Sequence, residues 1–106
     1  MAFFKLDELE EREMVPGFRA RFIHSDHMTL SSWTVKAGSV MPEHSHPHEQ
    51  ITAILEGDFE MTLGGETSRL SPNTVGIIPA NVIHSGVALT DCRIMDAFYP
   101  VREDYR

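Results

Sequence analysis

One cysteine, Cys92, stands among 106 residues. A lone thiol closes no internal disulfide, so a hydrophobic core must hold the fold, and cysteine usage gives no sign of an oxidising compartment. No run of about 18 apolar residues is present to span a bilayer, although the hydrophobic share of 42% is ordinary for a globular chain. Basic residues are also scarce, nine against sixteen acidic ones, for a net charge of −7. Nucleic acid and anionic membrane are therefore not the expected partners, because both would repel such a chain. The start, Met1-Ala2-Phe3-Phe4-Lys5-Leu6-Asp7-Glu8, turns acidic within a few residues. It lacks the apolar core and small-residue cleavage site of a secretion signal, and a cytoplasmic location is expected. There is no internal repeat, no low-complexity stretch, and little helical periodicity after the first dozen residues.

What remains is a run of short β-type segments cut by turn signals. Phe18 to Ile23 alternates apolar and charged residues, as a strand with one solvated face does. Further strands are expected over Met28 to Lys36, the histidine stretch after Gly38, Ile51 to Leu55, Phe59 to Leu63, Glu66 to Leu70, Thr74 to Ile78, His84 to Leu89 and Cys92 to Tyr99. Glu56-Gly57-Asp58 predicts a hairpin turn between Ile51–Leu55 and Phe59–Leu63. About nine short strands in a chain this length make one all-β domain, a sandwich or a jelly-roll barrel. The barrel is expected over 18–100, after a lead-in over 1–17 whose charged part, Leu6 to Met14, forms a short helix or an irregular segment, with 101–106 as a tail.

Histidine carries the chemistry. His44, His46 and Gln50 fall within seven residues, and Pro79-Ala80-Asn81-Val82-Ile83 leads to His84. Alternate residues of a strand share a face, so His44 and His46 are expected to point the same way. Pro47 then breaks the ladder, which puts His48 and Glu49 in or near a turn and lets Gln50 open the next strand. In the second stretch, a proline and a residue tolerant of left-handed geometry bring the chain round to His84. Three imidazoles and an amide buried without a metal would each cost about 1–3 kcal/mol unless hydrogen-bonded. A divalent metal is the simpler partner, and a mixed N/O set suits Zn, Ni, Fe, Co or Mn. On an octahedral ion the four ligands leave two positions for substrate or water. His24 and His27 are expected to be ordinary surface or core residues.

The pattern Gly38…His44-Ser45-His46…Gln50…Gly57 followed by Pro79…His84 resembles the two motifs of the cupin superfamily, whose fold is a double-stranded β-helix, a jelly-roll barrel. That family usually carries glutamate where this chain has Gln50. A neutral ligand set leaves the metal its full double charge and suits anionic substrates. A narrower resemblance joins His44-Ser45-His46-Pro47-His48-Glu49-Gln50 to Asp96-Ala97-Phe98-Tyr99-Pro100-Val101-Arg102-Glu103-Asp104, which together are similar to the small pectin-degradation cupins called KdgF. The resemblance implies metal ligation by His44, His46, Gln50 and His84 and a substrate role for Asp96, Phe98 and Arg102. It also implies a reaction, the opening of 4,5-unsaturated uronate monosaccharides from pectin or alginate into linear 5-keto uronates.

Each implied role has a physical basis. Asp96 and Phe98 share a strand face, so an acid or base would lie beside a ring that desolvates it. Arg102 could hold a substrate carboxylate bidentately. The bland alternatives are that Phe98 fills the core, that Arg102 makes a surface ion pair in its acidic tail, and that Asp96 is paired with Arg102. Two other function classes stay open: a sugar- or metabolite-binding cupin without turnover, and a different metal-dependent enzyme, an isomerase, lyase or dioxygenase, on the same barrel. A small anionic sugar is the expected partner. A homodimer is expected as well, formed through the apolar residues of Phe3 to Phe22.

Overall fold

A computed structural model describes residues 2–106. Ten strands fill it: β1 Arg12–Val15, β2 Phe18–His24, β3 Thr29–Val35, β4 Val40–His44, β5 Glu49–Glu56, β6 Phe59–Leu63, β7 Glu66–Leu70, β8 Val75–Ile78, β9 His84–Ala88 and β10 Cys92–Tyr99. They form two antiparallel sheets, one of six strands in the order β1-β2-β3-β10-β5-β8 and one of four in the order β4-β9-β6-β7. This is the expected jelly roll. Among the described residues no helix is long and apolar enough to cross a membrane.

The core follows from strand alternation. Phe18 and Ala20 of β2, Trp33 and Val35 of β3, Ile54 of β5, Phe59 of β6 and Cys92 and Ile94 of β10 are buried together. Phe18 stands edge-on to both Trp33 and Phe59, with ring centroids 6.2 Å apart in each case. That arrangement matches the positive edge of one ring to the negative face of the next.

Two local expectations change. The lead-in contains a short 3₁₀ turn at Leu6–Glu8, but residues from Arg12 on form β1, paired antiparallel with β2. The charges that suggested a solvated lead-in are cross-strand partners: Glu11 takes Arg19 at 2.6 Å and Arg21 at 3.2 Å, while Met14 and Val15 pack on the core. Nor do β5 and β6 form a hairpin. Gly57, at φ +83, turns the chain from the six-stranded sheet into the other one, where β6 pairs with β7 and β9. A Cβ at Gly57 would lie 2.1 Å from the Asp91 carbonyl oxygen, so this switch between sheets needs glycine.

Candidate metal centre

Four histidines gather at one end of the barrel, and three of them converge. His44 ends β4 and His84 begins β9, where they are direct register partners. His46 lies beyond β4, in the connection to β5, so strand alternation does not present the His44/His46 pair. Pro47 stops the ladder there, and the Asn81 N–H donates to the His46 carbonyl at 2.8 Å, tying this loop to the second motif. Asn81 has φ +67, the left-handed geometry expected of that turn. Gln50 is the second residue of β5 and is buried.

A ligand nitrogen from each of His44, His46 and His84 lies within 4.8 Å of the others, so the triad could hold a metal ion. Backbone carbonyls orient all three rings through Nδ1: Pro42 for His44 at 2.7 Å, His48 for His46 at 3.0 Å and Val82 for His84 at 2.9 Å. A carbonyl only accepts, so each Nδ1 carries the proton and each Nε2 keeps a lone pair. His46 Nε2 then faces the Gln50 Oε1 at 3.2 Å. Two acceptors side by side repel, and a cation shared between them relieves the repulsion. Protonating the ring is not the remedy, because burial, helped by the nearby Arg102 charge, pushes the His46 pKa down to about 4. Burial lowers His84 as well. The donor set therefore fits a divalent transition metal.

Asp96 and Phe98 project inward from β10, as their shared face requires. Burial pushes the Asp96 pKa up to about 6, against the opposing pull of the Thr52 hydroxyl, the Gln50 amide and the Arg102 guanidinium. Its Oδ1 is buried with no hydrogen-bond partner. The Phe98 ring stands 5.8 Å from the His46 ring between centroids and 4.8 Å from the Arg102 guanidinium carbon. His44, His46, Gln50, His84, Asp96, Phe98 and Arg102 line one cavity.

Arg102 does not pair with Asp96. Its Nε and Nη2 donate to the two carboxylate oxygens of Asp104 at 3.0 and 2.7 Å, and its guanidinium lies 3.9 Å from the centre of the Tyr105 ring. From sequence Asp104 counts only as part of the acidic tail and Tyr105 has no role; an acid two residues after an arginine and next to an aromatic is the signal that points to both. His48 lies near Arg102 and Asp104, its pKa lowered by burial first and then by Arg102. Its carbonyl orients His46, and its own Nδ1 is buried without a partner. His24 bonds the Thr29 hydroxyl at 2.8 Å, away from the cavity.

Residues 31–98 match the model of the cupin domain family. The pectin degradation protein KdgF of Dickeya dadantii is 27% identical over 106 residues, covering 97% of this chain and 96% of that protein. The solved structure of KdgF from a Halomonas species superposes with a TM-score of 0.93 at 31% identity, covering 100% of this chain and 99% of that one. An RmlC-like cupin from Shewanella frigidimarina superposes at 0.94 over 100% of this chain and 96% of its own, with 22% identity, a likeness of fold alone.

Proposed function

The chain belongs to the cupin domain family, as a small single-domain cupin resembling KdgF, and from that premise we propose that it opens 4,5-unsaturated uronate monosaccharides into linear 5-keto uronates. The observation that supports this most is one cavity that combines three converging imidazoles, an amide oxygen, a buried carboxylate with an unpartnered oxygen, and a guanidinium. The conversion is an isomerisation. The anomeric hydroxyl loses its proton, the ring carbon–oxygen bond breaks, and the enol left behind takes a proton on carbon to become a ketone. Nothing is oxidised, and no atom is gained or lost.

In this account His44, His46, Gln50 and His84 hold one divalent ion, of Zn, Ni, Fe, Co or Mn. When bound, it supplies a Lewis acid for negative charge developing on oxygen. Asp96 moves the proton: its carboxyl is buried in the cavity with Oδ1 unpartnered, and burial favours its protonated form. Phe98 walls off water between His46 and Arg102, and Arg102 anchors the substrate carboxylate. The test is the ultraviolet absorbance of unsaturated galacturonate and of the alginate-derived monomer, which should fall faster with protein than without it, with no oxygen consumed. A rate equal to the blank would leave a binding role in its place, and oxygen uptake would point to dioxygenase chemistry.

The protein is further proposed to act as a cytoplasmic homodimer. Its one cysteine is free and buried, which suits a reducing compartment. In the N-terminal segment Phe18 turns into the core and Phe22 packs on Trp33 and Tyr105, which leaves the exposed Phe3 and Phe4 as the large apolar side chains it offers a second copy. The outer face of the six-stranded sheet offers a broader surface. Ile77, Ile51, Ala97, Leu30 and Ile23 form one cross-strand row over five strands, with Val75, Ala53 and Met95 beside it. Ile77 and Val75 are more than half exposed. From β8 across to β3 these two rows carry no charged residue, the nearest being Arg21 at the β2 end, and a contiguous apolar patch of this kind marks an interaction site.

A further inference from the structure

Among the described residues Arg102 is the one guanidinium lining the cavity, and a free arginine is a poor anchor. Its side chain carries about 2 kcal/mol of rotamer entropy, and its fork reads a carboxylate only when the plane is fixed. Here three contacts fix it. The Asp104 carboxylate takes the Nε–Nη2 edge with two bonds, at 3.0 and 2.7 Å. Tyr105 and Phe98 present ring faces to the guanidinium carbon at 3.9 and 4.8 Å. Arg102 itself is buried, whereas the Asp104 side chain is 58% exposed. The pair therefore does more to orient the cation than to stabilise the fold.

The C-terminal turn that carries both residues is anchored away from the cavity. Tyr105 packs on Phe22 with ring centroids 4.7 Å apart, and the Arg12 side chain donates to the Tyr105 carbonyl. The anchor reaches across to β1 and β2, so the last residues of the chain are held in register with the site. With Nε and Nη2 committed to Asp104, Nη1 is the guanidinium nitrogen that makes no bond to it.

With the uronate substrate proposed above as its premise, we propose that Asp104 and Tyr105 are positioning residues: they lock the Arg102 plane so that its Nη1 side receives the substrate carboxylate. Asp104 is thus a permanent partner of Arg102 and not a stand-in that the substrate displaces.

Asp104→Asn tests this by kinetics and by calorimetry on the metal-loaded protein, with galacturonate and galactose as charged and neutral probes. The expected result is a KM for unsaturated galacturonate raised about tenfold with kcat within about threefold, the signature of lost ground-state and transition-state binding alike. Galacturonate binding should weaken about tenfold and galactose binding stay the same, with Asp104→Glu restoring most of the loss. Tighter galacturonate binding in Asp104→Asn would show Asp104 to be a competitor and overturn the proposal, as would a fall in kcat alone or an equal loss for both sugars. A wild-type protein that prefers galacturonate to galactose but turns over no unsaturated sugar removes the proposed reaction and leaves Asp104 to be judged by binding. Wild-type protein with neither turnover nor that preference overturns both.

Discussion

His44 and His84 are register partners across the β4–β9 pair, their ring centroids 4.2 Å apart. Two histidines from separate motifs are thereby fixed by backbone pairing, and His46 is fixed by the Asn81 N–H bond to its carbonyl. Removing one imidazole should abolish the chelate without unfolding the sheet. His84→Ala is expected to lower metal affinity by about 100-fold or more, measured by metal content after dialysis, with little change in far-ultraviolet circular dichroism. Unchanged metal content would mean that the ion binds elsewhere.

The Asp96 carboxyl should set a pH dependence of stability in metal-free protein. Its ordinary pKa of 3.8 rises to about 6 in the fold, because burial penalises the charged form. The unfolded chain thus ionises first as pH rises, so stability falls between about pH 4 and 6, and the whole penalty is present above that range. A rise of this size corresponds to about 3 kcal/mol at neutral pH. Asp96→Asn should therefore be more stable than wild type in urea at pH 7, lose that advantage near pH 4, and lose turnover at both. Equal stability at pH 7 would contradict the buried-carboxylate account.

Gly86, on β9, should accept no side chain. A Cβ there would lie 2.3 Å from two atoms of the Phe59 ring, which is itself held edge-on by Phe18. Gly86→Ala is expected to cost about 1–3 kcal/mol, read as a lower urea midpoint. An unaltered midpoint would show that the Phe59 ring moves freely.

Ile51 and Ile77 are cross-strand neighbours on the outer sheet face. Ile51→Lys is expected to turn a homodimer into a monomer by sedimentation at micromolar concentration while metal content stays the same. A monomeric wild type, or a variant that remains dimeric, removes that face as the interface.

Much of this was legible in the sequence. Period-two alternation located the strands, and the Pro79-Ala80-Asn81 turn announced His84 because proline and a left-handed residue have few other uses there. Sheet membership was not legible: Glu56-Gly57-Asp58 has the composition of a hairpin turn, and only the packing of Gly57 against Asp91 shows that the chain changes sheets. Likewise Glu11 and Glu13 look like a solvated lead-in until Arg19 and Arg21 stand opposite them. The side chains Asp96, Phe98 and Arg102 were named from sequence, but the Arg102–Asp104 clamp depends on how the tail folds back, which no periodicity encodes.

The most direct measurement is the absorbance decay of unsaturated galacturonate with one preparation assayed as purified, after chelation, and after return of a stoichiometric divalent metal. Decay that is enzyme-dependent, stops on chelation and resumes with metal is the expected result. Decay that continues undiminished in protein shown to be metal-free would contradict the central role given to His44, His46, Gln50 and His84.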